Sequence, residues 1–442
     1  MRPALFVRAA APAALLALLA STGCVRPNAL AGSTGPDSTL IRRDIAWLAD
    51  DAREGRATGT PGLDSSAAYV AQRFEALGLV PLVADSGCAG GCRPDFLQHY
   101  IARPVSPRGH SGPPVTLPAT NVIGMLRGAD PRQRGEYVIV GAHMDHLGRS
   151  AEFALDPKAT NAIRNGADDN ASGTAAVLEL ARLFARHPAR RSIIFTTFSG
   201  EELGLLGSQY WADHPPVPLD KVLAMVNFDM VGRMKNAKLI VYGVATATEL
   251  PAIVESANTA PTLAISAVGD GFGPSDHSSF YAKNLPVLQF FTDLHDDYHR
   301  ATDDAEKINA AGEARVLAVA ERVIRDIADR PSKLTFVRAP APMASSGSSR
   351  TGSSVYLGSI PDMASGTEPG LKLSGVREGS PADKGGLKTG DIIVQFAGIE
   401  VKDLYSYTDA LYSKKPGDTV AIIVLRDGKR VTCSVTLGER GK

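Results

Sequence analysis

Short, predominantly apolar runs alternate with stretches of three-and-four apolar spacing along residues 137–330. The runs fall near 137–142, 192–198, 222–228, 238–243 and 286–291. Their length and lack of polar alternation mark strands buried on both faces. The amphipathic stretches lie near 171–186, 201–213, 247–257, 276–283 and 305–330 and read as helices. This alternation predicts an α/β domain whose mostly parallel, mixed sheet is flanked by helices on both faces. Upstream, Leu40, Ile41, Ile45 and Leu48 mark one helix, and Ala67, Val70, Phe74 and Leu77 mark another. A Gly-, Thr- and Arg-rich loop at 53–62 separates them, and 95–103 and 120–127 read as further strands.

The pattern stops near residue 331. Residues 332–354 are rich in Ser and Pro with little to bury, which predicts a linker. Residues 355–440 regain apolar content and turn signals, so a second, small β-rich domain is expected there after a first domain at 36–331. At the other end, Arg2 and Arg8 precede the apolar stretch Ala9 to Ala20, so 1–24 reads as an export signal, too short for a membrane span. Ser21-Thr-Gly-Cys24 resembles a bacterial lipoprotein cleavage box, with Ser21 where a branched aliphatic is usual. A lipid on Cys24 and ordinary cleavage nearby both stay open. The expected location is periplasmic, secreted or lipid-anchored at the cell envelope, and only such a lipid would bring the chain to a membrane. Cys88 and Cys92 flank Ala-Gly-Gly and are placed to pair in an oxidising compartment, whereas Cys433 alternates with apolar residues as a buried strand cysteine does. Lys plus Arg equals Asp plus Glu, 47 each over 442 residues, so no basic field argues for nucleic acid.

Metal-ligand-type side chains recur after the apolar runs. His143 follows one, Asp169 sits in Gly166-Ala-Asp-Asp-Asn-Ala-Ser-Gly173, Glu202 follows Phe198-Ser-Gly-Glu201, Asp229 closes another run, and His299 follows Tyr298. In an open α/β sheet the carboxyl ends of the strands converge on one crevice. Two imidazoles and three carboxylates meeting there make a two-zinc set, which points to hydrolysis. Asp169 is placed to bridge, and Asp145, two residues past His143, to orient that imidazole. On a helix, Glu201 and Glu202 would point about 100° apart, so one can ligate while the other faces a water. Each feature alone has a plainer reading as an N-cap or a first-turn acidic pair.

Seven segments together resemble the di-zinc aminopeptidases of peptidase clan MH, family M28, over roughly 40–330. They are Gly55-Arg-Ala-Thr-Gly-Thr-Pro-Gly62, Gly141-Ala-His-Met-Asp-His146, Gly166 to Gly173, Ser199-Gly-Glu-Glu-Leu-Gly-Leu-Leu-Gly-Ser208, Asn227-Phe-Asp-Met-Val-Gly232, Ser275-Asp-His-Ser-Ser-Phe280 and Tyr298-His299. The resemblance implies the phosphorylase/hydrolase-like zinc peptidase core. It assigns one Zn2+ to His143 and Asp229 and a second to Glu202 and His299, with Asp169 between them. It also makes Glu201 the general base, Tyr298 an oxyanion donor and His277 a pocket residue, and it implies a cis peptide after Asp169. The expected substrates are peptide or protein N-termini; a carboxypeptidase or dipeptidase of the same fold, or a non-catalytic peptide receptor, are the competing readings. Residues 355–440 resemble a PDZ domain. Tyr356-Leu357-Gly358-Ser359-Ile360 matches its carboxylate-binding loop and Leu404 to Leu411 its groove-flanking helix, which implies a C-terminal peptide as ligand.

Overall fold

The computed structural model describes Met1 and residues 34–83, 95–104, 115–150, 154, 156, 159–338, 355–361, 370–376, 379–402, 406–407, 410–411 and 413–439. Residues 2–24 of the segment expected to direct export, Cys24 among them, and Cys88 and Cys92 lie outside these residues. Among the described residues, no helix is long and apolar enough to cross a membrane.

The larger domain is built on one sheet. Its strands are β1 (Val80–Pro81), β2 (Leu97–Ala102), β3 (Leu117–Leu126), β4 (Tyr137–His143), β5 (Ser192–Phe198), β6 (Val222–Phe228), β7 (Lys238–Tyr242), β8 (Ala264–Val268) and β9 (Val287–Phe291). They lie in the order β1-β3-β5-β4-β6-β9-β7-β8, with β2 also paired to β3. The centre, β5-β4-β6-β9, is parallel, while β3 joins β5 and β7 joins β9 antiparallel. The sheet is therefore mixed, with its parallel part where both faces are covered.

Helices α1 (Ser38–Leu48), α2 (Pro61–Ala76), α3 (Gly173–Arg186), α5 (Leu250–Ala257) and α7 (Ala310–Asp329) share one apolar layer; α4 (Leu206–Asp213) and α6 (His277–Ala282) belong to the other. Alternation within β4 divides its side chains accordingly. Val138, Val140 and Ala142 face the first layer and Ile139 the second, packed with Trp211 and Phe280. Asp37 caps α1 by accepting from the N–H groups of Thr39 and Leu40. The chain leaves β4 for β5 on one side and then returns to β6 on the other. That reversal leaves a crevice at the carboxyl ends of β4, β5 and β6.

Three expectations needed adjustment. The helix expected at 201–213 starts at Leu206, because Leu205 takes a left-handed φ of 60° and residues 199–205 form turns. Strand β8 was not anticipated, since Ile265 and Val268 are interleaved with Ala264, Ser266 and Ala267 in an edge strand that needs little apolar surface. The linker expected from 332 begins later. Thr335 and Val337 exchange main-chain hydrogen bonds with Thr248 and Thr246, and the Phe336 ring packs on Tyr281.

The smaller domain holds β10 (Val355–Tyr356), β11 (Ser359–Pro361), β12 (Leu371–Val376), β13 (Ile392–Phe396), β14 (Ile399–Glu400), β15 (Thr419–Arg426), β16 (Lys429–Thr436) and β17 (Gly438–Glu439), with the short helix α8 (Pro381–Lys384). Ile393, Phe396, Ile422, Val424 and Val435 form its core, and Cys433 is a free, buried thiol there, as its strand pattern predicts. Gly358, at the turn between β10 and β11, has φ +85°, and a Cβ there would stand 2.3 Å from that of Ser380.

One buried cation ties the larger domain together. The Arg56 guanidinium is fully buried and donates to four main-chain carbonyls, those of Leu48, Met144, Asn165 and Gly166. It thereby joins the end of α1 to the loop after β4 and to the loop that leads to Asp169. Burial pulls the Arg56 pKa down to about 10, with nearby carboxylates opposing the shift, so it stays charged. Arg56→Leu would strand four buried acceptors, each costing about 1–3 kcal/mol. A loss of more than about 3 kcal/mol is expected in urea unfolding; a loss below about 1 kcal/mol would mean that water takes over the carbonyls.

Candidate metal centre and active site

The crevice collects the expected side chains. His143 is the last residue of β4, and Glu201 and Glu202 follow β5. Asp229 follows β6, Asp169 lies on the segment entering α3, and His299 comes from the loop after β9. The Asp169–Asn170 peptide is cis.

His143 Nε2 stands 3.4 Å from Asp169 Oδ1 and 3.5 Å from Asp229 Oδ1. His299 Nε2 stands 3.2 Å from Asp169 Oδ2 and 3.3 Å from Glu202 Oε2. A tetrahedral ion with ligands at about 2.0–2.1 Å separates its ligand atoms by about 3.3 Å. These separations are edges of such tetrahedra, and Asp169 turns one oxygen to each. Among the described residues, His143 with Asp169 and Asp229 form one group with ligand atoms close enough to share an ion, and Asp169 with Glu202 and His146 form another. Glu202 Oε2 is buried and lacks a hydrogen bond, which a cation would remedy. Asp169, Glu201, Glu202 and Asp229 would carry four negative charges in a space shielded from water. Two divalent cations would balance them with both imidazoles neutral.

Surrounding groups fix the set. The N–H on His143 Nδ1 donates to the main-chain carbonyl of Asp145 at 3.1 Å, while the Asp145 carboxylate is farther, at 3.8 Å. The orienting group is therefore the carbonyl of Asp145 more than its side chain. That carboxylate instead accepts from the Glu201 N–H (3.2 Å) and the Thr58 hydroxyl (3.0 Å). A second clamp on the Glu201 turn comes from the hairpin of β2 and β3. Tyr100 donates to the Ser199 carbonyl, and Asn121 accepts from the Ser199 N–H. Asp303 accepts from the N–H groups of Asp168 and Asp169. Asp297 anchors the loop carrying His299 by accepting from Arg233, Thr302 and Lys307.

Burial, against the pull of His143, pushes Glu201 well above the ordinary carboxylate range, and it holds Tyr298 well above a normal phenol. Burial also takes His277 down to about 3, so that ring is neutral. A cavity opens over the set, lined by His277 and Tyr298 and by an apolar wall of Met230, Tyr242, Phe291 and Leu294. In the smaller domain, Leu357 of the loop expected to take a carboxylate is buried, and the Ser359 hydroxyl meets that of Tyr407 from the flanking helix. The Ile360 side chain lies outside the described residues.

The model of peptidase family M28 matches residues 121–324, and that of the PDZ domain matches 355–437. Residues 121–324 form an M28 peptidase domain. The aminopeptidase YwaD of Bacillus subtilis is 31% identical over 181 residues, covering 36% of this chain and 38% of that protein. Two solved Bacteroides thetaiotaomicron structures, a leucine aminopeptidase precursor and a glutaminyl cyclase, each match at 20% identity with a TM-score of 0.52, over 66% of this chain and 98% of theirs. Both of those proteins share the fold of the larger domain. A probable zinc metalloprotease of Pyrenophora teres f. teres is 39% identical over 116 residues, 26% of this chain but only 23% of its own length.

The side chains named from the sequence as candidate ligands do meet in the crevice, but their supports were missed. Arg56 and Thr58 sit in the 55–62 segment, and His146 in the same short motif as His143 and Asp145. Spacing gives no sign of which distant groups they meet.

Without a cation, burial pulls His143 and His299 down, but the facing carboxylates more than reverse this and raise both well above 6.5. Raised values contribute stability below the ordinary histidine pKa and lose it as pH rises through the folded values. Zinc needs the neutral rings, so its contribution runs the other way. The rise in melting temperature on adding zinc to chelator-treated protein should be larger at pH 8 than at pH 6. An equal rise at both would contradict this linkage.

Proposed function

We propose that the M28 domain is a zinc aminopeptidase working with two metal ions, and that the chain acts after export. The observation that carries this is the pair of tetrahedron-edged ligand sets sharing Asp169, with Glu201 beside them at 3.9 Å from His143 Nε2. The aminopeptidase polarity is supported by the similarity to YwaD.

His143 and Asp229 would hold one ion and Glu202 and His299 the other, with Asp169 common to both. Two zinc ions there would supply Lewis acidity and bring the pKa of a bound water to about 7. Glu201 accepts the proton as water attacks the scissile carbonyl and returns it to the leaving amine. Burial raises its pKa, which makes it the stronger proton acceptor. Tyr298, kept protonated by burial, donates its hydroxyl to the developing oxyanion. The side chain of the N-terminal residue lies against Met230, Tyr242, Phe291 and Leu294, with His277 as an uncharged wall.

The smaller domain takes an extended peptide C-terminus along β11, its carboxylate at the 356–360 loop. The 1–24 segment directs export, with Cys24 available for a lipid.

Glu201→Gln should retain bound zinc and lose about 10²–10⁴-fold in kcat; a near-normal rate at full metal content removes Glu201 from this role. Polarity is read from one peptide offered free, N-acetylated and C-amidated, with and without a chelator. Chelator-sensitive cleavage of the free and amidated forms but not the acetylated one is expected. Cleavage of the acetylated form together with failure on the amidated one would make the enzyme a carboxypeptidase. No cleavage by zinc-loaded protein would favour the peptide receptor.

A further inference from the structure

His146 belongs to a group of potential ligands with Asp169 and Glu202, yet its geometry differs from the others. Its Nδ1 lies 2.6 Å from Glu202 Oε1 and 3.8 Å from Asp169 Oδ2. The ligand pairs described above are 3.2–3.5 Å apart. Ligand atoms on a tetrahedral ion stand about 3.3 Å apart, so 2.6 Å is too short for that geometry, whereas a charge-assisted hydrogen bond has that separation. Glu202 is thus held by one oxygen, Oε1, while Oε2 faces His299 at 3.3 Å. The carboxylate can only accept, so the proton is on His146 Nδ1. The buried Nε2 has no hydrogen-bond partner.

The ring is locked in place. Gly166 has φ +55°, and a Cβ there would meet the His146 ring at 2.5 Å and the Asp169 carbonyl at 2.0 Å. Arg56 holds the Gly166 carbonyl through its guanidinium, and its own carbonyl accepts from the His146 N–H at 3.3 Å.

We infer that His146 is a positioning residue that dedicates Glu202 Oε1 to a hydrogen bond, leaving Oε2 as that carboxylate's single donor to the metal at the Glu202–His299 position. This rests on the two-metal reading. It makes that position selectively dependent on a residue that is not a ligand, and supports of this kind are worth about 10–100-fold in metal affinity.

The test separates hydrogen bonding from space filling. An asparagine amide nitrogen falls near the place of histidine Nδ1, and that of glutamine near Nε2. The full chain would be purified as wild type, His146→Asn, His146→Gln and His146→Ala. Each would be titrated with zinc against a competing chelator, with a thermal melt as a folding control. Wild type should take two equivalents. The asparagine variant should keep both within about threefold, while glutamine and alanine should lose about 10–100-fold on one equivalent only. Cobalt gives a second readout: the visible band of a four-coordinate ion should weaken in the glutamine and alanine variants as Glu202 becomes free to bind through both oxygens. Glutamine matching or surpassing asparagine would assign His146 a packing role and overturn the inference, as would equal affinity in all four proteins or an equal loss in all three variants. A wild-type protein binding fewer than two equivalents would overturn the two-metal reading itself.

Discussion

Four carboxylates converge at the carboxyl ends of three adjacent strands, largely out of reach of water, and the larger domain is organised around tolerating them. Such a set is unstable without compensating positive charge. Arg56 supplies part of it, fully buried among main-chain carbonyls, and the two histidines can supply more by taking protons. A pair of divalent cations would supply the rest. The glycines, left-handed residues and tight turns around the crevice make sense on these terms. They bring main-chain N–H and C=O groups to bear on side chains that would otherwise repel one another.

The supporting bonds form an interlocked set. Asp145 gives its carbonyl to His143 and its carboxylate to the main chain of Glu201, so one residue aligns a ligand with the proposed base. The β2–β3 hairpin, at the side of the sheet, reaches in through Tyr100 and Asn121 to fix the same turn from the other end. Asp303 and Asp297 secure Asp169 and the His299 loop respectively. Asp169 and the turn carrying Glu201 are thus each held by groups from distant parts of the chain.

Much of this was legible in the sequence, for definite reasons. A ligand after an apolar run inherits its place from strand geometry, so His143, Glu202 and Asp229 could be located without coordinates. The PDZ-like segment was legible from its turn and strand residues. What stayed hidden depends on long-range distances. The expected helix at 201–213 failed over its first turn because Ser199 and Glu201 are held by β2, β3 and Asp145 instead of by helical bonds. The carboxylate of Asp145 looked like the partner of His143 because only its side chain is visible in a sequence, whereas its carbonyl is the nearer group. Arg56, Thr58 and His146 were in view as letters, but nothing in their spacing says that one bonds four carbonyls or that another holds Glu202. Edge strand β8 and the docked segment at 335–338 carry too little apolar pattern to announce themselves.

The ligands are scattered from residue 143 to residue 299, and no two consecutive ligands come from one continuous element. The centre therefore has no partial form. A chain still emerging from the ribosome carries these side chains without any two of them in register. Nothing in such a chain could attack its neighbours. For a centre built this way, completion of the fold is itself the switch from inert polymer to assembled site.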